Sequence, residues 1–157
     1  MINLEKGQSL FEVVVALGIS ALIIVALVSL VSNSIQNANF SKDKTLAANY
    51  AQEATEWLRQ QRDSDPATFF GTDTVIQAVP ICFDDLNWNN VLNGNIGNCP
   101  DGSSISNNTP FTREIIFNQD QSTVKTVIVA DVTISWTDSQ GQHIVTNSTS
   151  FSDWRQR

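Results

Sequence analysis

Lys6-Gly7-Gln8-Ser9-Leu10-Phe11-Glu12 leads directly into Val-Val-Val-Ala-Leu-Gly-Ile-Ser-Ala-Leu-Ile-Ile-Val-Ala-Leu-Val-Ser-Leu-Val, which runs from Val13 to Val31 without a charged residue. As a helix rising about 1.5 Å per residue, this run spans about 28 Å, close to the hydrocarbon thickness of a bilayer. Apolar residues lie on all sides of it, so no polar face exists and a surface-lying amphipathic helix is excluded. Asn33, Ser34, Gln36, Asn37 and Asn39 mark the exit from the apolar medium. A secretory signal peptide would need a basic start, an apolar run of about 7–15 residues and a small-x-small cleavage site. Here Glu5 sits beside Lys6, the run is longer, and the residues before Asn39 form only a weak site. A plain single-pass anchor fits the length but leaves Glu12, a carboxylate at the edge of the run, unexplained.

A Gly followed five residues later by Glu and then at once by a long apolar run resembles the amino terminus of the type IV pilin and pseudopilin family. The resemblance implies a short hydrophilic leader, Met1 to Gly7, cut between Gly7 and Gln8 by a dedicated inner-membrane prepilin peptidase. That enzyme would also methylate the new amino terminus on Gln8, and Glu12 becomes the fifth residue of the mature chain. Two features depart from the family pattern. The first mature residue is Gln8 where Phe or Met is usual, and no helix-kinking proline precedes Pro66. Gly18 is the only weak helix former in the span, so it is a candidate point of flexibility in an assembled filament. Alternatively, Gly18 merely allows close helix packing.

The role of Glu12 follows from electrostatics. A carboxylate at the membrane edge is costly unless paired or protonated. Cleavage after Gly7 would create an amine on Gln8, four residues earlier. Between neighbouring subunits that amine and Glu12 could meet in a dry apolar core, each removing the other's desolvation penalty and fixing the axial register. The competing reading is an interfacial Glu with access to water.

Beyond Phe40 the pattern becomes amphipathic. Ala47, Tyr50, Ala51, Ala54, Trp57 and Leu58 form one stripe, with Asn49, Gln52, Glu53, Glu56, Arg59 and Gln60 on the other faces. Pro66 forces a stop. One long helix from about Ser9 to about Ser64 is therefore predicted, with a break near Asn37 to Ser41 as the alternative. From Pro66 to about Thr109 the Asn, Gly, Asp and Ser content predicts loops, with a short strand at Thr74 to Val79. Three strands are predicted after Pro110: Thr112 to Asn118, Lys125 to Thr137 and His143 to Ser152. Asp138-Ser139-Gln140-Gly141 forms the hairpin turn between the last two. The fold class is α+β, with a long helix whose amphipathic half packs on a small antiparallel sheet. The Ile-Ser-Trp-Thr-Asp run and Trp154 are similar to the heads of certain minor pilins. The expected divisions are a leader at 1–7, a membrane and polymerisation helix at 8–32, its amphipathic continuation at 33–65, and a globular head at 66–157. Within the head, 66–110 is loop-rich and 111–157 carries the sheet.

Cys82 and Cys99 enclose a Gly/Asn-rich segment with little core of its own. With the head outside the cytoplasm a disulfide is expected, and two free buried thiols are the alternative. His143 falls in an alternating strand and reads as a sheet residue. Trp57, Trp88, Trp136 and Trp154 read as core and interface residues. Lys42, Lys44, Arg59 and Arg62, interspersed with acids, read as a solvated face or subunit contacts. Asp101, Asp120 and Asp138 could contribute to a calcium site of the kind found in some pseudopilins, although no spacing supports one. No catalytic, P-loop or dinucleotide motif occurs, so an enzyme and a bound cofactor are not expected.

The chain has 157 residues with 16 Asp+Glu against 9 Lys+Arg, a net charge of -7. That acid excess argues against a nucleic-acid partner, which would require clustered positive charge. Removing the leader leaves the balance unchanged, because Glu5 and Lys6 cancel. The resemblance implies a structural subunit of a type IV pilus-like filament, a minor pilin or pseudopilin. Its partners would be other pilin subunits, the prepilin peptidase, an inner-membrane assembly platform and, before assembly, the lipid bilayer. It would cross the cytoplasmic membrane once, head outside, and end in an extracellular or periplasmic filament. The alternative is a membrane-anchored extracellular binding domain that never polymerises.

Overall fold

A computed structural model of the chain describes residues 10–71, 78–92, 96–97, 99–100, 103–106, 109–120 and 127–153. The chain divides into two units, Met1–Asp43 and Lys44–Arg157. The first helix, α1 (Leu10–Ser64), has 55 residues and enters both. Between Leu10 and Ser64 the only glycine is Gly18 and there is no proline, so nothing interrupts the hydrogen-bond ladder.

In the first unit every residue from 10 to 39 is exposed. The apolar stretch is long and apolar enough to cross a membrane. In the second unit Ala47, Ala51, Ala54 and Leu58 of the stripe read from the sequence are buried, Tyr50 and Trp57 of it are half-buried, and Thr55, which was not in it, is buried as well. Alanine at three of these positions keeps the helix face shallow, so bulky side chains of the head can pack against its backbone.

The helix ends where Pro66 requires, but the chain does not then become a loop. A short helix, α2 (Pro66–Gly71), follows at once. Asp65 caps it, its carboxylate accepting from both the amide and the hydroxyl of Thr68. Pro66 occupies the first helical position, where its missing N–H costs nothing. The reward for the turn is burial of Phe69. A second short helix, α3 (Trp88–Leu92), begins with Asn87 accepting from the amide of Asn89. It buries Val91. The loop reading of 66–109 is corrected at both places. Polar turn composition marked the caps, and aromatic and aliphatic burial then wound one turn after each.

Among the described residues the sheet has four strands in the order β1 (Pro80–Cys82), β2 (Thr112–Asp120), β3 (Val127–Asp138) and β4 (Gly141–Ser152), each pair antiparallel. The three C-terminal strands lie where alternation placed them, residues 125–126 of the second lying outside the described residues. The strand β1 at Pro80–Cys82 was not expected; of the expected strand at Thr74 to Val79, residues 74–77 lie outside the described residues and 78–79 are not strand. Pairing with β2 fixes the choice, because Ile81 opposite Ile115 puts both on the buried face. Glycine is required at Gly141, whose φ of 122° closes the β3–β4 hairpin, and at Gly97, whose φ of 120° lets its amide reach the Pro80 carbonyl at 2.7 Å.

Ile128, Ala130, Val132, Ile134 and Trp136 are the inward set of β3, and Ile115 and Phe117 face the same way from β2. Together with Phe69, Phe83, Phe111, Phe151 and the Ala47–Leu58 stripe they form one aromatic-rich core. Phe69 stacks on Trp88 at 5.4 Å and meets Phe117 and Phe151 edge-on at 6.5 and 5.3 Å. Offset and edge contacts of this kind stabilise by about 0.5–1.5 kcal/mol each beyond burial. Across the sheet edge, Asn147 of β4 donates to Thr55 of α1 at 3.1 Å, tying the last strand to the helix.

Candidate functional site

Two places carry chemistry that burial alone does not explain. The first is the foot of α1. Glu12 is the only charged residue from Leu10 to Ser41. It lines a shallow groove on the helix surface with Val13, Ala16, Leu17 and Ser20, residues one and two turns apart on one face. Leu10 and Phe11 beside it are 82% and 75% exposed. The hydroxyls of Ser20 and Ser29 donate back to the carbonyls of Ala16 and Val25, at 2.8 and 3.1 Å. Those hydroxyls are therefore satisfied within the helix and can enter an apolar medium. Glu12 has no such solution. No described residue forms an ion pair with it. Gly7 and Gln8, the expected cleavage and methylation positions, lie outside the described residues. At Gly18 an added Cβ would meet nothing within 4 Å, so nothing in this unit of the single chain demands glycine there.

The second place is a cluster around Arg113. An arginine in phase with Ile115 and Phe117 must point into the core, and it does, at 1% exposure. That phase is the sequence signal for its burial, and it is absent from the expectations above. The guanidinium is held chiefly by main-chain carbonyls. Nε donates to the Phe83 oxygen at 2.7 Å, Nη2 to the Asp84 oxygen at 2.9 Å, and Nη1 to the Tyr50 oxygen of α1 at 3.3 Å. Glu53, half-exposed, approaches Nη1 at 3.5 Å. The ring of Phe83 lies 5.5 Å from the guanidinium carbon. Burial pushes the Arg113 pKa down, opposed by the charge and hydrogen bond of Glu53 and by the charges of Asp84 and Asp85. Arginine is nonetheless the side chain that keeps its charge under such burial. The cluster thus joins α1, β2 and the segment after β1 through one side chain.

The expected disulfide lies against this cluster. Cys82 and Cys99, 17 residues apart, are bonded to each other. Closing a loop of this size stabilises the head by about 3 kcal/mol in the chain-entropy account. Cys82 is buried and Cys99 half-buried. The Asp84 carboxylate touches both sulfurs, Oδ2 at 3.4 Å from Cys82 Sγ and Oδ1 at 3.8 Å from Cys99 Sγ. The Arg113 carbonyl oxygen lies 3.3 Å from Cys99 Sγ. Glu114 accepts from the Cys99 amide at 2.9 Å, and Asp84 Oδ1 from the Arg113 amide at 3.3 Å. Cys82, Asp84 and Cys99 would resemble a metal-ligand set were the thiols free. Bonded to each other they offer no thiolate.

The remaining candidates are absorbed by the fold. His143 and Asp138 meet across the hairpin at 2.9 Å, and Asp138 Oδ1 also accepts from the Gln140 amide. Asp138 is thereby engaged in the turn. Asp101 lies outside the described residues, as does the side chain of Asp120. Trp136 is buried, and Trp57 contacts Phe83 and Trp88 at 5.3 and 5.9 Å, as core and contact roles require. Trp154 lies outside the described residues. Arg59 pairs with Glu56 and Arg62 with Asp63, while Arg62 also lies over the Phe151 ring at 5.7 Å.

The hairpin yields a prediction. The Gln140 amide first, and His143 second, hold the Asp138 carboxyl below its ordinary value. A depressed carboxyl contributes stability that is present above the unfolded-state value and lost as pH falls through the folded one. Thermal unfolding of the head followed from roughly pH 6 down to pH 2 should therefore show a shallower acid decline in Asp138→Asn than in the natural chain. Equal slopes would mean that the carboxylate contributes nothing in this window.

Compared with family models, curated proteins and solved structures, the chain matches none.

Proposed function

We propose that this chain is a structural subunit, a minor pilin or pseudopilin, of a type IV pilus-like filament. It is cut after Gly7 and assembles through α1. The observation that carries the reading is a single carboxylate, Glu12, at the foot of a helix that carries no other charge from residue 10 to residue 41 and is exposed from residue 10 to residue 39. Lipid can cover the leucines, valines and isoleucines. It cannot solvate Glu12 cheaply. A second chain can do both. It offers apolar helix surface of the same kind and, once trimmed, an amine at Gln8 to meet the acid in a medium where each charge cancels the other's penalty. The small antiparallel sheet and the Cys82–Cys99 bond fit a head that works outside the cytoplasm. Prepilin peptidase, an inner-membrane assembly platform and other pilin subunits are the partners this reading requires. Gly18 would supply local give in the packed helix.

Mass spectrometry of the amino terminus, on protein from the native host, tests the proposal. The expected result is a chain beginning at Gln8, with or without one added methyl group. A chain still beginning at Met1 in filament-bearing cells overturns it and leaves a membrane-anchored binding domain.

A further inference from the structure

The Asp84 carboxylate accepts from the Arg113 amide through Oδ1 at 3.3 Å, and its charge supports the buried guanidinium, but neither contact accounts for its place beside the disulfide. Its main-chain carbonyl separately accepts from the Arg113 guanidinium, a bond that needs only the backbone at this position. Yet its side chain is placed with one oxygen near each sulfur of the Cys82–Cys99 bond, and the Arg113 carbonyl oxygen approaches Cys99 from another direction. A disulfide sulfur carries no proton, so these are not hydrogen bonds. They place negative and partially negative oxygen beside the two atoms that thiol exchange must attack or release.

Exchange has two requirements here. The attacking thiolate must reach a sulfur, and only Cys99 is partly open, since Cys82 is 3% exposed. In the first step the reductant's thiolate bonds to Cys99 Sγ, the Cys82–Cys99 bond breaks, and Cys82 leaves as a thiolate that takes a proton. In the second, another reductant thiolate attacks the first reductant's sulfur and releases Cys99 as a thiolate. The two small thiols depart oxidised, as their disulfide, and both cysteines are left reduced. Asp84 opposes the first step twice. It repels an incoming anion, and it destabilises the departing Cys82 thiolate, which is already buried; a leaving group of higher pKa leaves more slowly. Among the described residues, the charged ones in contact with the two cysteines are Asp84, Glu114 and Arg113. The Glu114 oxygen is turned to the Cys99 amide, and the Arg113 guanidinium to the carbonyls of Phe83, Asp84 and Tyr50 and to Glu53.

We propose that Asp84 is an electrostatic guard of the Cys82–Cys99 bond, selectively slowing its reduction by anionic thiols. This holds whether or not the chain polymerises. The test uses the full chain in neutral detergent, with reduction followed by alkylation and mass spectrometry at matched thiolate concentrations. The probes are glutathione, 2-mercaptoethanol and cysteamine, whose thiolate forms carry successively less net negative charge. In the natural chain cysteamine should be fastest and glutathione slowest. In Asp84→Asn, which keeps an oxygen for the Arg113 amide but removes the charge, glutathione should gain about tenfold and cysteamine the least, so that the spread narrows. Added salt should speed glutathione with the natural chain and have little effect with the variant. Mere loosening of the cluster would speed all three thiols by one factor. That result, or rates unchanged within about twofold, overturns the proposal.

Discussion

Replacing Glu12 by alanine should leave the protein in the membrane and reduce its yield in filaments by roughly tenfold or more. Insertion depends on the apolar run, which the substitution lengthens, so the membrane-bound fraction should not fall. Incorporation is different. On the proposed reading the Gln8 amine enters a dry interface in which Glu12 is its partner, and Glu12→Ala leaves that amine buried and unpaired. Breaking a buried pair from one side costs about 3–5 kcal/mol where the pair is fully desolvated, and less near water. Glu12→Gln keeps the shape and a hydrogen-bond acceptor but not the charge, so it should recover part of the loss at most. The measurement is the protein in sheared filaments relative to the membrane fraction, in cells of the native host. Normal yield from Glu12→Ala would show that the carboxylate stands at a wet interface and has no part in assembly.

Truncating Arg113 should be among the most damaging single changes in the head. Arg113→Ala removes a fully buried side chain, opens a cavity under the Phe83 ring, and strips the carbonyls of Phe83, Asp84 and Tyr50 of a charged donor. Lost packing and unsatisfied acceptors together should destabilise the head by about 3–5 kcal/mol. Arg113→Lys retains the charge but not the fork that reaches three carbonyls, so it should lie between. Glu53→Gln should cost well under about 1 kcal/mol, because Glu53 is a half-exposed partner at the rim. Denaturant unfolding followed by tryptophan fluorescence would rank the three. If Arg113→Ala proved no worse than Glu53→Gln, the carbonyl cage would be incidental.

The two results bear on different parts of the molecule, and those parts differed in how plainly the residues announced them. The helix was readable because an uncharged run from Val13 to Val31 is too long for an ordinary strand or loop, and because the Ala47–Leu58 stripe repeats with helical period. The β3 alternation was readable for the same reason, since Ile128 to Trp136 must face one way if Val127 to Ser135 face the other. The short elements were not. One turn of helix at Pro66 or Trp88 has too few residues to show a period, and what stabilises it is contact: Phe69 against Trp88, or Val91 within the core. The strand at Pro80–Cys82 was not readable because its three residues are selected by pairing with β2 rather than by their own pattern. Arg113 was legible in principle from its phase with Ile115 and Phe117. Its charge masks that phase, because arginine is ordinarily a surface residue. The approach of Asp84 to the disulfide could not have been read, because it depends on how β1, β2 and the half-buried Cys99 converge.

The buried side chains also sort the molecule by solvent. All of those described, from Ala47 to Asp153, belong to the unit that begins at Lys44. Residues 10–39 thus contribute no buried side chain to the hydrophobic interior, and the described core is complete within the later unit. The stretch apolar enough to cross a membrane lies at the other end, in the unit Met1–Asp43. A version shortened to the later unit should behave as an ordinary water-soluble protein, open to solution spectroscopy and crystallisation with its cystine bridge and arginine cage in place.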